Sequence, residues 1–299
     1  MKSFVTLMLC LLSFAQVHDE ISSAMEEFDY DKVINLISPG TKDSLLLSTR
    51  IQALKAMNRY PEAIVDLTSL FVKDTTDTKI LIDLAECYKL MGSPRQAADY
   101  YRKAVSLRPN NKFFRLQYIR SLLNAENFKE ARDACHGWLE QDTVSATGYK
   151  YLGQAYEGMQ DIPNAFFSYN VAYRRDSLDA QTVARIANIF NNNRQFTDAI
   201  DVTECYRLSD TTSVDVNRQN AKAYCMLKDY KKAIERYESL KRMGDRSFLT
   251  FYYLGISYYG DNWFYGSYDN LKEAYAKNST DINVLYYYAK SCSRTSWKK

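Results

Sequence analysis

The sequence predicts an all-α fold built from a repeated helix–turn–helix unit, and three observations carry that reading. Alanine recurs at a fixed interval: Ala63, Ala97, Ala131, Ala165, Ala199 and Ala233 stand 34 residues apart, and Ser267, also small, takes the seventh place. Each alanine closes a short turn-forming stretch, NRYPEA, GSPRQA, ENFKEA, QDIPNA, RQFTDA or KDYKKA, in which Asn, Asp, Gly and Pro interrupt helical periodicity. Composition agrees, because 46% hydrophobic and 25% charged residues suit a folded protein while 10 Gly and 5 Pro in 299 residues leave few breakers for an all-β chain.

From the N-terminus, the first predicted element is an export signal. Lys2 supplies a minimal positive region, residues 4–15 an apolar run, and Ser13-Phe14-Ala15 a small-x-small site, so cleavage is expected after Ala15. The apolar run falls short of the ~20 residues a helix needs to cross a bilayer, so the mature chain is expected to have no integral membrane segment. Leu9 before Cys10 and the apolar residues after it argue against lipidation there. Residues 16–43 read as a degenerate leading helical unit. Seven units follow over 44–281 (44–77, 78–111, 112–145, 146–179, 180–213, 214–247 and 248–281), and 282–299 reads as the first helix of an eighth, either a cap or a truncated repeat.

Each unit carries a packing code. Upstream of the alanines a second small residue recurs (Ala85, Gly153, Ala187, Ala221, Gly255, Ala289), followed three residues later by a large one: Tyr88, Tyr156, Phe190, Tyr224 and Tyr258, with Cys292 breaking the run. Residues at i and i+3 share a helix face, so a hole and a knob are presented together to the neighbouring helix. Four residues after the alanine stands a bulky side chain, Leu67, Tyr101, Cys135, Tyr169, Tyr237 or Leu271, with Thr203 as the exception.

This order of small, aromatic, alanine and aromatic positions resembles the tetratricopeptide-repeat family, and YLGQAYEGMQDIPNAFFSYNVAYRRDS (151–177) matches it best. The closing proline of the family pattern occurs only at Pro109, and Ile51 and Ile119 replace the small residue in two units. The resemblance implies a right-handed α-α superhelix, a solenoid of antiparallel helix pairs, with a concave groove lined by the first helix of each pair and serving to bind another protein or peptide.

The chemistry of the chain excludes several classes. Lys and Arg (39) and Asp and Glu (36) are mixed along the sequence, giving a net charge of +3 with no basic block for nucleic acid or an anionic membrane. Only His18 and His136 are present, remote from any nucleophile, and no Cys pair has zinc-ligand spacing. Gly148 and Gly153 are followed by Gln154 and Ala155 where a phosphate-binding loop needs Lys and Ser or Thr. No catalytic residue, metal site or cofactor is expected, and the chain reads as non-enzymatic. The five cysteines beyond the signal are odd in number and irregularly spaced, and read as buried free thiols.

In the register implied by the resemblance, the groove candidates are Lys150, Gln154, Asn188, Asn191, Asn192, Arg218, Lys222, Tyr252, Tyr259 and Tyr286. Asn side chains pair with both donors and acceptors of a peptide backbone, and Lys and Arg hold carboxylates. One subclass of the family clamps acidic chaperone tails with Lys and Asn on successive first helices; Lys150 matches one such place, but Gln154 stands where Asn is needed, so chaperone-tail binding is not expected. The functional expectation is an exported scaffold, periplasmic or secreted in a bacterial envelope, that holds an extended segment or helix of a partner. Two alternatives stand beside it. The aromatic stretch 248–270 can instead bind a glycan or nutrient, or the chain can be the sensory or assembly portion of a longer protein.

Overall fold

The computed structural model describes residues 17–296, the last without its side chain. The predicted signal and its cleavage site, and Trp297, Lys298 and Lys299, lie outside the described residues. Those residues contain helices and turns and no strand. After α1 (17–26) and the short α2 (Tyr30–Leu36) come pairs of a first and a second helix: α3 (Ser44–Ala56) with α4 (Tyr60–Lys73), α5 (Thr78–Leu90) with α6 (Pro94–Leu107), and α7 (Lys112–Asn124) with α8 (Phe128–Leu139). The series continues with α9 (Ala146–Gly158) and α10 (Ile162–Arg175), α11 (Ala180–Asn192) and α12 (Phe196–Arg207), and α13 (Val214–Met226) and α14 (Tyr230–Arg242). It closes on α15 (Phe248–Gly260), α16 (Phe264–Lys277) and α17 (Ile282–Ser296). Contacts divide the chain into two compact units, one up to Ala134 and one from Cys135.

Both ends of the first helices are written into the sequence. Asp43, Asp77, Asn111, Ser145, Asp179, Ser213 and Ser247 precede α3, α5, α7, α9, α11, α13 and α15, each accepting a hydrogen bond from an amide of the first turn. These acceptors satisfy donors that a helix start otherwise leaves open. Asp281 does the same for α17 through the amides of Asn283 and Val284. At the other end one residue per unit turns left-handed, with φ between 57° and 71° at Asn58, Gly92, Glu126, Gln160, Arg194, Lys228 and Asn262. The amide after it returns to the helix, as Gln195 does to the Phe190 carbonyl at 2.8 Å, which ends the helix and reverses the chain.

The alanines at the start of the second helices, Ala63, Ala97, Ala131, Ala165, Ala199 and Ala233, are fully buried, and Ser267 is too, its hydroxyl 2.7 Å from that of Ser291. Tyr101, Tyr169 and Tyr237 are the largest fully buried side chains. Thr203, the exception in that series, is also fully buried and satisfies its hydroxyl through the carbonyls of Ala199 (2.6 Å) and Ile200 (3.0 Å) and the amide of Asn220 (2.9 Å). At Gly153 a Cβ would stand 2.6 Å from the Tyr169 ring, so the absence of a side chain lets α10 approach α9. All five described cysteines are free; Cys205 is exposed, which corrects its reading as a buried thiol, because it lies on the outward side of α12.

Candidate functional site

In the unit from Cys135 onward the first helices pack on one another, α11 on α13, α13 on α15 and α15 on α17, whereas the second helices do not touch each other to that extent. Closer spacing on one side places the first-helix face on the inside of the local curve. All ten sequence candidates belong to this unit.

Three of the candidates are engaged inside the protein. Asn191 is buried, and its amide donates to both the backbone and the side-chain oxygen of Gln219 at 3.0 Å. It joins α11 to α13, which corrects its placement as a groove residue: the helix turns its face inward there. Arg218 forms ion pairs with Asp215 at 2.7 Å and Asp245 at 2.9 Å. Burial alone would lower its pKa, but the hydrogen bond from Arg218 and the charges of both carboxylates raise it. Lys150 reaches 3.0 Å to Asp179, the cap of α11. Both cations thus already have a carboxylate partner within the protein.

Asp245 shows how strongly this junction is fixed. Burial alone would raise its carboxyl, yet the Ser247 amide (2.9 Å), the Thr250 hydroxyl (2.8 Å) and Arg218 outweigh that and hold it at about 2.

Lys222 differs from both. Its ammonium meets the Asn192 side-chain oxygen at 3.3 Å and forms no ion pair among the described residues, and burial lowers its pKa below the ordinary lysine value. Asn188, half-buried, holds the place 34 residues earlier on α11. Asn192 is exposed beside Lys222, so an amide, an ammonium and a second amide lie on neighbouring first helices. Gln154, in the same register on α9, has a buried amide nitrogen without a hydrogen-bond partner.

The aromatic candidates continue this face. Tyr252 stacks on Phe248 (5.8 Å) and tilts against Tyr253 (5.0 Å), and burial pushes its phenol up. Tyr259 packs edge-on against Phe264 (5.5 Å) and Tyr287 (5.8 Å). Tyr286 is 52% exposed, with the Lys290 ammonium 4.3 Å from its ring centre. Lys290 was missed in the sequence reading, although it stands two repeat lengths beyond Lys222. No group of three His, Cys, Asp or Glu among the described residues is disposed to hold a metal, and no described helix is long and apolar enough to cross a membrane.

The family model for the tetratricopeptide repeat matches residues 78–111. The α5–α6 pair is a tetratricopeptide repeat. A chain of the APC/C hetero-tetramer Cut9-Hcn1 is similar in fold, with a TM-score of 0.60 at 14% identity over 88% of this chain and 51% of that one. Tetratricopeptide-repeat proteins of Cytophaga hutchinsonii (TM-score 0.57, 17% identity, 79% of this chain and 97% of that one) and Parabacteroides merdae (0.56, 13%, 82% and 99%) share the fold too. In sequence the chain is similar to a DnaJ homolog subfamily C member 7 homolog of Dictyostelium discoideum, 34% identical over 137 residues. That match spans 46% of this chain and only 23% of the relative.

Proposed function

We propose that this protein is an exported, non-enzymatic scaffold that holds an extended or helical segment of a partner protein on the first-helix face of the unit from Cys135 onward. The observation that carries the reading is Lys222, a half-buried ammonium with an amide oxygen as its neighbour and no carboxylate. An acidic side chain or chain end of a partner would supply the missing charge, while Asn188 and Asn192 hold its backbone amides. Tyr252, Tyr259 and Tyr286 extend the surface with aromatic anchors of the kind that dominate protein interfaces. The reading of export is supported by the Lys2 to Ala15 segment, and an exported chain would meet its partner in the envelope or outside the cell.

The test is photo-crosslinking in native cells from a benzophenone side chain at Asn188 or Asn192, with Phe167, an exposed residue of a second helix, as the control. A protein captured from the two Asn positions and lost on Lys222→Ala supports the reading; equal capture from Phe167, or none from the Asn positions, contradicts it. The mature chain in the same cells is expected to begin at Gln16 by intact mass. A glycan-binding reading has one observation in its favour, the 53% exposed Trp263, whose ring packs edge-on against Tyr258 at 4.5 Å. Quenching of tryptophan fluorescence by sugars would shift the assignment to it.

A further inference from the structure

The two ends of the described chain, each taken by itself, carry features that their own helices do not account for. At one end, α17 bears the face that first helices elsewhere turn toward their second helix. Leu285, Ala289 and Cys292 hold the places of Phe251, Gly255 and Tyr258 one repeat earlier. On α15 those three are buried under α16: a Cβ at Gly255 would stand 2.6 Å from Leu271, and Tyr258 meets Trp263 edge-on. On α17, which no described helix follows, Ala289 is exposed and Leu285 is 42% exposed against 6% for Phe251. In the adjacent row lie Lys290 and Arg294, on a helix without Asp or Glu. Their neighbours are rings, Tyr286 at 4.3 Å and Phe264 at 5.7 Å, and neither forms an ion pair among the described residues.

At the other end, α1 finishes on Glu26, Glu27 and Phe28, three residues that a helix terminus disfavours. Carboxylates there meet the negative end of the helix dipole, and Phe28 holds φ at 59°, where a bulky side chain crowds the backbone. The Phe28 ring is 72% exposed, with Tyr30 edge-on at 6.2 Å. Glu27 accepts from the Ser23 hydroxyl at 3.1 Å, and neither Glu26 nor Glu27 forms an ion pair among the described residues. Residues 17–36 carry six carboxylates against the single lysine Lys32.

We infer that the protein associates head to tail, the Glu26-Glu27-Phe28 corner of one copy docking on α17 of a second. The Phe28 ring lies over Ala289 against Leu285, and the two carboxylates meet Lys290 and Arg294. Charge is what selects this occupant. Two α17 helices face to face would set Lys290 and Arg294 of both copies against each other with no carboxylate between them, whereas the α1 end brings the opposite sign. Phe28 supplies the aromatic anchor and the small Ala289 the space for it. Because the contact joins two different surfaces, each bound molecule keeps one end free, and association continues beyond the pair unless a ring closes.

Lys222 takes no part, so Lys222→Ala should leave association unchanged, and loss of association leaves partner capture at Asn188 standing. Sedimentation velocity on the full chain over a range of concentrations tests the inference. The wild type should grow beyond a monomer as concentration rises and dissociate at high salt. Phe28→Asn suits a left-handed backbone and should not lower Tm, and Ala289→Glu changes an exposed position; each should weaken association by roughly thirtyfold. Mixing the two variants separates the alternatives. The first keeps its α17 and the second keeps its Phe28 corner, so together they should form a one-to-one dimer and nothing larger. A wild type that stays monomeric at every concentration, as it would if another segment or another protein covers α17, overturns the proposal. So does association that Ala289→Glu abolishes and Phe28→Asn leaves intact, the result of α17 pairing with α17, and so does a mixture of folded variants that remains monomeric.

Discussion

The α3–α4–α5 segment of one unit and the α9–α10–α11 segment of the other occupy the same repeat positions and solve the same packing problems with different side chains. Where the first has Ile51 against Leu67, the second has Gly153 against Tyr169, a smaller hole receiving a larger knob. Arg50 and Asp66 form a buried ion pair in the first; Leu152 and Ser168 stand at those places in the second, with the Ser168 hydroxyl donating to the Asn164 carbonyl at 2.8 Å. Lys55 pairs with Asp83 in the first, and Glu157 with Arg185 in the second at 3.0 Å, the same bridge with its charges exchanged. The repeat therefore conserves complementarity between positions rather than the residues at them.

The largest test of this comparison is the buried ion pair. Arg50→Leu leaves Asp66 charged and unpaired in the core and should cost about 3–5 kcal/mol of unfolding free energy in urea. Adding Asp66→Ser, which imports the whole Leu152/Ser168 solution, should recover most of that loss. If the double variant is as unstable as the single one, the two segments are not interchangeable. Next, Gly153→Ala drives a methyl group into the Tyr169 ring and should cost about 1–3 kcal/mol, with Tyr169→Leu in the same chain restoring part of it.

The third test is pH. The Asp245 carboxyl is held at about 2 against an ordinary 3.8, so its contribution of about 2 kcal/mol is complete above pH 4 and disappears as pH falls through 2. Asp245→Asn should therefore destabilise the protein at pH 7 by that amount and make little difference near pH 2, as read by thermal unfolding across the range. The smallest effect concerns the left-handed residue after each first helix. Gly92 suits that position, whereas Arg194, three repeats further on the opposite side of the comparison, holds φ at 60° against its Cβ. Arg194→Gly should stabilise by about 0.5–1 kcal/mol, and Gly92→Ala should destabilise by a similar amount.

Much of the fold could be read from the sequence because close packing restricts the alanine positions to residues without bulk, and turns need Asn, Gly or Pro. The helix caps were equally regular, at Asp43 and every 34 residues to Asp281, but Ser, Asp and Asn are too common for that series to stand out without the helix starts. The site was harder to read. A candidate cation is available only if no partner neutralises it, and the partners lie one repeat away: Asp179 is 29 residues from Lys150, and Asp245 is 27 from Arg218. Asn191 failed for a related reason, since the face it presents depends on where Gln219 of the next first helix lies. Pairs spaced 27–30 residues apart on first helices were the signal that could have separated Lys222 from Lys150 and Arg218. The open face of α17 left half a trace, because Ala289 continues the small-residue series but its exposure is visible only once the helices are placed.

The central claim is that Lys222 is a cation held on the inner face for a partner's acidic group. Its most direct measurement is the titration of Lys222 by NMR in reductively ¹³C-dimethylated protein, alone and with the partner captured from Asn188. The account predicts that the free protein's Lys222 titrates below its exposed lysines and rises when the partner binds. A Lys222 that titrates with the exposed lysines and does not move on binding would contradict it.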